Sequence, residues 1–336
     1  MPVIIGIDEA GYGPTLGPLV ITATAFDVPV HPGTGETSER RNSLDGPNLW
    51  HILKEAISGY PNDGGRNDRR IVVGDSKKLY SAKKGLYKLE EAVLTFQMSL
   101  GGNICELKDL LTSLGCYDGQ LLEQYPWYHD KRLGLPVVSD MADLTHKYNK
   151  LKDILSSNGV KYLAASSVVI SPHEFNKDVA RLDNKSLLLF KNCVNLIAGL
   201  WQKYPEMEVF CDKHGGRDRY GPMLAKAFRD SRVKKLSENG KSSSCYEVMD
   251  GAARRRMRIS FLMDADNAHL PVALASMHSK YVRELFLRLF NGFWREHLPG
   301  LRPTAGYPED ARRFLRDISD LKTRLGISDK ILIRNR

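Results

Sequence analysis

The sequence has little that would hold a disulfide-bonded or zinc-centred protein together. Its five cysteines show no paired spacing of the kind that binds zinc, and they are Cys105, Cys116, Cys193, Cys211 and Cys245. Their odd number also argues against a disulfide framework. A reducing cytoplasm is therefore the expected location.

Long uninterrupted apolar runs are lacking too. The N-terminal apolar stretch has no basic region before it and is broken by Asp8 and Glu9, so it predicts neither a signal peptide nor a membrane span. With 336 residues, 42% of them hydrophobic, the chain can bury a full core. Its net charge of +9 favours an acidic partner such as nucleic acid, although a membrane surface would also attract it.

The stretch from Gly6 to Val20 is the most informative in the chain. An apolar run from Val3 to Ile7 leads directly into Asp8 and Glu9, a turn with three glycines and two prolines follows, and a β-branched run begins at Leu19. This pattern predicts a hairpin with two acids at its mouth. Carboxylates at the end of a buried strand are costly unless a cation holds them, and the glycines expose backbone N–H groups to an anion. A metal site beside a phosphate-binding backbone is one interpretation, and simple turn acids are the other.

The same arrangement recurs later in the chain. An apolar run ends in Asp212, and the glycines that follow make an N-cap role for this acid the weaker interpretation. The run Ile259–Met263 closes with Asp264 and Asp266, both of which are candidates. If these three strands meet at one sheet edge, their carboxylates form a set of hard oxygen ligands that suits Mg²⁺ or Mn²⁺ and not zinc. Two such ions about 3.5–4 Å apart can support an in-line phosphoryl displacement.

The adjacent positions of Asp8 and Glu9 add a condition. Neighbouring residues of a strand point to opposite faces, so the two acids can share a site only if the strand ends or bulges there. The glycines directly after them make this feasible.

Three further strings carry cations or a turn. The lysines of Asp75-Ser76-Lys77-Lys78-Leu79 can neutralise phosphates or can simply be solvated. A helix predicted over Pro271 to Leu289 follows the last acids and carries Lys280. Gly306-Tyr307-Pro308 precedes a helix predicted over Glu309 to Ile318, and it can also be a plain turn.

Taken in order, these strings resemble the motifs of ribonuclease HII, the type 2 ribonucleases H that cut the RNA strand of RNA/DNA duplexes. The string Gly6–Val20 is similar to the opening motif of that family, and Asp75–Leu79 is similar to the second. Gly306-Tyr307 resembles the Gly-Tyr that the family places against the sugar at an RNA-to-DNA junction. The matched pieces cover about half of the chain, in the order that the family requires.

The resemblance also selects between the two late acids. The family has an Asp ahead of a Pro-started helix with an Ala-Ser and then a Lys, and Asp266, Pro271, Ala275-Ser276 and Lys280 fit that pattern. Asp266 is therefore the predicted fourth acid. Asp264, two residues earlier and expected on the same strand face, remains a competitor.

The resemblance implies a metal-dependent endoribonuclease with a two-metal-ion mechanism and Mg²⁺ or Mn²⁺ as cofactor. Its substrates would be RNA/DNA hybrids and DNA duplexes containing ribonucleotides, cut to leave a 3′-hydroxyl and a 5′-phosphate, as in ribonucleotide excision during DNA replication and repair. The implied catalytic and metal-binding residues are Asp8, Glu9, Asp212 and Asp266. The implied nucleic-acid-binding residues are Gly11, Tyr12, Gly13, Lys77, Lys78, Lys280 and Tyr307.

The alternation of strands and helices predicts an α/β fold, and the resemblance implies a ribonuclease-H-like mixed five-stranded sheet flanked by helices. The catalytic core is expected over residues 1–290, with insertions near 29–70, 101–158 and 229–258. Residues 291–336 are expected to form a C-terminal helical extension packed on the core.

The insertions carry their own expectations. One short helix is predicted near Leu49–Ile57, a strand over Asn103–Leu107, and a helix over Ala142–Leu155. The aromatic cluster Tyr125–Tyr128 either fills a core or stacks on bases. Strand character over Cys245–Met249 predicts a β-excursion in the third insertion.

Tyr12 departs from the family pattern, which usually has Arg or Lys between the two glycines. In the family this segment reads the ribose 2′-hydroxyl largely through its backbone, which Tyr12 can preserve, while the lost cation weakens phosphate contact. Specificity for a single embedded ribonucleotide is thus less firmly implied than nuclease chemistry. Two alternatives remain open: a non-catalytic hybrid-binding protein and a ribonuclease-H-fold nuclease that acts on DNA structures.

Overall fold

The computed structural model describes residues 2–29, 47–59, 68–81, 83–215, 217–252 and 254–335. The insertion expected near 29–70 therefore lies partly outside the described residues. The strands, in chain order, are β1 (Val3–Ala10), β2 (Leu19–Asp27), β3 (Ile57–Ser58), β4 (Ile71–Val72), β5 (Lys161–Ile170), β6 (Glu206–Asp212), β7 (Ser231–Glu238), β8 (Ser243–Asp250) and β9 (Arg256–Leu262). The helices are α1 (Leu49–Ile52), α2 (Ser76–Leu79), α3 (Tyr87–Met98), α4 (Leu107–Ser113), α5 (Gly119–Glu123), α6 (Met141–Ser157), α7 (Pro172–Leu182), α8 (Lys185–Lys203), α9 (Gly221–Ala227), α10 (Ala265–Ala268), α11 (Leu270–His297), α12 (Pro308–Asp317), α13 (Ser319–Arg324) and α14 (Asp329–Leu332).

The main sheet has the strand order β5-β2-β1-β6-β9-β8-β7. β5, β2 and β1 are antiparallel neighbours, while β6 and β9 run parallel to β1. These five strands form the mixed sheet that the sequence predicted, and the α/β fold is confirmed. The sheet has two strands more than the five that were expected, because β8 and β7 continue it beyond β9.

The two added strands come from the insertion near 229–258, and β8 confirms the strand character of Cys245–Met249. Their pairing places residues of alternating charge side by side across four strands, in the order Glu208, Arg258, Glu247 and Lys234. Because opposite charges on directly opposed strand residues attract, this row favours the observed register. The charged composition of the insertion thus supports strand pairing.

Two apolar layers enclose the sheet. Ile4 of β1 packs with α11 on one face, and Ile5 and Ile7 pack with α8 on the other. This alternation is the strand period of two residues, with both faces buried. β1 therefore lies at the centre of the molecule.

The insertion near 101–158 packs against α11. Tyr125 and Trp127 are 1% and 2% exposed, and the Trp127 ring lies 5.1 Å from that of Phe290. The aromatic cluster therefore fills a core, and base stacking by these residues is ruled out. A strand over 103–107 is also wrong, because Glu106 and Asp109 form a capping box that starts α4.

The C-terminal helices follow α11 directly. α11 runs through residue 290, where the core was expected to end, and α12 packs back on it with Phe314 5.5 Å from Phe290. The division of the chain at 290 remains a prediction. In the described part of the chain, no helix is long and apolar enough to cross a membrane.

The contact between β1 and α11 gives a first test. A Cβ added at Gly6 would lie 2.1 Å from the backbone carbon of Pro271, so Gly6→Ala requires the helix to move away from the strand. We expect it to lower the free energy of unfolding by at least about 3 kcal/mol, measured by urea denaturation.

Gly199→Ala is the matched control. It lies within α8 with open space around its added Cβ, and it should be neutral or stabilise by up to about 1 kcal/mol. Equal stability of the two variants would contradict the close helix–strand contact.

Candidate active site

Three of the predicted acids, Asp8, Glu9 and Asp212, lie toward the carboxyl ends of the neighbouring parallel strands β1 and β6. The paired register of β1 and β6 ends at Ile7 and Cys211, so Asp8 and Asp212 follow directly at neighbouring positions. β1 itself continues to Ala10 in unbroken register with β2. The expectation that the strand ends or bulges at the acids is therefore wrong. The pairing with β6 ends there instead.

Asp8 and Glu9 are crowded by other carboxylates. Burial raises the pKa of Asp8, and the charges of Glu9 and Asp212 raise it further, while a hydrogen bond from Ser276 opposes them. Burial also raises the pKa of Glu9 to about 7, and Asp212 adds to this shift. These shifts show that the acids repel one another in a poorly solvated place.

Asp212 and Asp266 complete what we call the acid cluster, consisting of Asp8, Glu9, Asp212 and Asp266. Burial raises the pKa of Asp212, whose Oδ1 lies 3.3 Å from the backbone nitrogen of Ala265. Burial raises the pKa of Asp266 too, with Asp75 and Asp212 adding to the effect. Asp212 therefore links Asp266 to Asp8 and Glu9, because its charge acts on all three.

Asp264 and Asp266 do not share a strand face, which corrects the sequence expectation. β9 ends at Leu262, Asp264 is exposed in the left-handed region with φ 54°, and Asp266 lies in α10. The tight turn between β9 and α10 thus separates the two side chains. Asp266 is half-buried, and its choice as the fourth acid remains a prediction.

The two adjacent lysines have different surroundings. The attraction of Asp8, Asp266, Asp75 and Asp212 outweighs the effect of burial and raises the pKa of Lys77. Lys78 is instead engaged at its Nζ, 3.5 Å from Asp75 Oδ2 and 3.4 Å from Asn267 Oδ1. Lys77 is therefore the cation that faces the acid cluster.

Two serine hydroxyl groups of α11 contact Asp8. Ser276 Oγ lies 2.9 Å from Ser76 Oγ and hydrogen-bonds Asp8. Ser279 Oγ lies 3.1 Å from the carbonyl oxygen of Asp8 and 2.8 Å from Thr22 Oγ1. Of these groups, the sequence indicated only Ser276, through the Ala-Ser string.

The residues directly after the acids and Ala10, numbers 11–17, form what we call the glycine segment. Gly11 has φ 93°, and a Cβ added there would lie 2.5 Å from the carbonyl oxygen of Pro18, so this turn requires glycine. Burial and the charge of Glu9 raise the pKa of Tyr12. The ammonium of Lys185 lies 4.5 Å from the centroid of the Tyr12 ring, so a cation is present beside this position although Tyr12 carries none. Gly13 is exposed.

The last two predicted residues differ in their exposure. The carbonyl oxygen of Gly306 accepts hydrogen bonds from the N–H groups of Thr15 (2.7 Å) and Leu16 (3.1 Å), which holds the neighbouring, 51% exposed Tyr307 beside the glycine segment. Lys280 is ion-paired with Glu284 at 2.8 Å. Its side chain is only 11% exposed, so the structure gives Lys280 an internal partner.

The donor chemistry of the acid cluster fits a hard divalent cation. Carboxylate oxygens are the ligands that Mg²⁺ and Mn²⁺ prefer, and the raised pKa values indicate a need for positive charge. Among the residues that the structure describes, no three His, Cys, Asp or Glu side chains are arranged as ligands of one ion. The fit is therefore one of donor type and charge.

Comparisons with known proteins give distant structural likenesses. No family model and no curated protein matches the chain. The ribonuclease HII of Archaeoglobus fulgidus, solved in complex with PCNA, aligns over 99% of this chain and 94% of its own at 14% identity, with a TM-score of 0.40. Ribonuclease H2 of Pyrococcus horikoshii OT3 aligns over 98% and 92% at 12% identity, with a TM-score of 0.41. Bst-RNase HIII in complex with Mn²⁺ aligns over 99% and 66% at 15% identity, with a TM-score of 0.38. These likenesses are too distant to bear on activity.

The crowding of the acids predicts a pH-dependent cost in stability. Because the pKa of Glu9 is raised from 4.5 to about 7, its protonated form favours folding below about pH 4.5, and that contribution is lost as the pH rises through 7. Glu9→Gln should therefore raise the melting temperature of chelator-treated protein by roughly 2–4 °C at pH 8 and by less at pH 5.

Glu55→Gln, at an exposed position, serves as the control and should shift neither melting temperature. An equal shift for Glu9→Gln at both pH values would show that repulsion at this site is absent.

Proposed function

We propose that the chain is a Mg²⁺- or Mn²⁺-dependent endoribonuclease. It hydrolyses the RNA strand of RNA/DNA hybrids and cuts at ribonucleotides embedded in duplex DNA, leaving a 3′-hydroxyl and a 5′-phosphate. The observation that supports the proposal is the closeness of Asp8, Glu9 and Asp212 directly before the glycine segment, with Asp266 of α10 beside Asp212 and with Lys77 attracted by these acids. The order of the motifs that resemble ribonuclease HII supports it.

In this proposal the four acids share one role, which is to bind metal ions. Asp8, Glu9, Asp212 and Asp266 would hold the divalent ions, and such ions would supply an activated water and stabilisation of the leaving oxygen. Ser276 and Ser279 keep the Asp8 side chain and backbone in place from the side of α11. These contacts therefore hold Asp8 in one orientation.

The cations and the glycine segment serve the substrate. Lys77 lies where a phosphate approaching the acids would meet a positive charge. The N–H groups of Tyr12 and Gly13 can face the sugar edge of the scissile nucleotide, and a 2′-hydroxyl is the group that tells RNA from DNA there. Tyr307, exposed beside this segment, can contact the next sugar.

The first test is cleavage of three labelled duplexes with Mg²⁺ or Mn²⁺: a single ribonucleotide in DNA, an RNA/DNA hybrid and all-DNA. The wild-type protein should cut the first two. Asp8→Asn should lower the rate by roughly 10³-fold or more, because it keeps the side-chain volume and removes the charge that binds metal.

Asp153→Asn, at an exposed position of α6, is the control and should keep most of the activity. Normal turnover by Asp8→Asn would make the site assignment wrong. Tight hybrid binding without cleavage would favour a non-catalytic binding protein, and cleavage of all-DNA would favour a nuclease of DNA structures.

The neighbouring lysines provide a second test. Lys77→Ala should lower kcat/KM for the hybrid by about 10–100-fold, because it removes the cation at the acids. Lys78→Ala should change it by less than about threefold, because its ammonium already pairs with Asp75. Steady-state kinetics at fixed ionic strength would compare them, and equal losses would remove the special role of Lys77.

A further inference from the structure

The C-terminal segment of the described chain lies across the glycine segment. Ile333 forms a β-bridge with Leu16, and the backbone N–H of Arg334 donates to the carbonyl oxygen of Thr15 at 2.9 Å. The guanidinium of Arg334 then reaches further along, donating to the carbonyl oxygens of Gly11 and Tyr12, the latter at 3.1 Å. One side chain thus binds two successive peptide groups more than 300 positions away in the chain.

Arg334 is buried to do this. It is 3% exposed, and its guanidinium carbon lies 4.0 Å from the centroid of the Phe175 ring. Among the described residues no carboxylate forms an ion pair with Arg334. The carbonyl oxygens of Gly11 and Tyr12 therefore compensate the buried positive charge of its guanidinium group. Burial and the nearby charge of Arg283 lower its pKa to about 9.

The contact fixes the direction of two backbone donors. A trans peptide is planar, and its N–H points away from its C=O. When Arg334 holds the carbonyl oxygens of Gly11 and Tyr12, the N–H groups of Tyr12 and Gly13 must therefore point to the opposite side. Within the described residues neither of these N–H groups meets a hydrogen-bond acceptor. Both remain ready for a ligand.

We propose that Arg334 is a positioning residue for substrate recognition, which sets the two free N–H groups of the glycine segment and with them the preference for a ribonucleotide over a deoxyribonucleotide. This inference rests on the proposed ribonuclease function. Arg334 touches no substrate itself. It acts through the backbone between Gly11 and Gly13.

The segment that carries Arg334 is attached independently. Asn176 of α7 donates from Nδ2 to the carbonyl oxygen of Ile333 at 2.8 Å and accepts from the N–H of Asn335 at 2.6 Å. A substitution at 334 can therefore remove the guanidinium while the segment stays in place. Arg334→Met keeps an apolar side chain against Phe175 and loses the donors.

The experiment compares the ratio of dissociation constants for all-DNA and hybrid duplexes, together with KM and kcat for the hybrid. Arg334→Met should lower the ratio about tenfold, toward one, and should raise KM more than it lowers kcat. Arg334→Lys, which keeps a donor, should restore part of the ratio. Lys330→Met, an exposed residue of the same C-terminal stretch, removes the same charge and should leave the ratio unchanged.

Hydrogen exchange gives a readout that does not depend on cleavage. The N–H groups of Thr15 and Leu16, which bond to Gly306, should exchange faster in Arg334→Met than in the wild type. Unchanged exchange and an unchanged binding ratio would overturn the inference while leaving the proposed function in place. A wild-type protein that binds both duplexes equally and cuts neither would overturn both.

Discussion

The direct contact of α11 with β1 determines where the rest of the site can be. At Gly6 the helix backbone lies so close to the strand that no side chain fits between them. Thr24 of β2 strengthens this contact by donating from Oγ1 to the carbonyl oxygen of Pro271 at 2.7 Å. Because the start of α11 is fixed in this way, its next turns bring Ser276 and Ser279 to Asp8. A helix held further away could not supply these hydroxyl groups.

Two buried arginines hold the glycine segment from different elements. Arg283 of α11 donates to the carbonyl oxygens of Leu16 (3.2 Å) and Ala305 (3.0 Å), which links the segment to the turn before Tyr307. Arg334 holds the carbonyl oxygens at the other end. Burial lowers the pKa of both guanidinium groups. The carbonyl groups, and for Arg283 also Glu284 at 3.4 Å, offset the cost of burying these charges. Both arginines therefore fix the backbone of the glycine segment and not its side chains.

The candidate site residues that could be predicted from the sequence are those that stand in a local sequence pattern. Asp8, Glu9 and Asp212 could be placed next to one another because each comes at the end of an apolar run, a pattern that is visible within a few residues. The different surroundings of Lys77 and Lys78 were not predictable, since they depend on which side of the short α2 faces the acids. The seven-stranded sheet was also missed.

Contacts between distant parts of the chain explain what the sequence could not show. Arg283 and Arg334 stand in no motif, and their role exists only because the fold brings their guanidinium groups to carbonyl oxygens far away in the chain. The acid cluster has the same dependence on its surroundings. Burial raises the pKa of all four carboxyl groups, and their positions are set by elements far apart in the chain, namely β1, β6 and α10. The concentration of negative charge that makes the acids repel one another would also attract a divalent cation. The stability lost at this edge and the proposed chemistry therefore have one electrostatic origin.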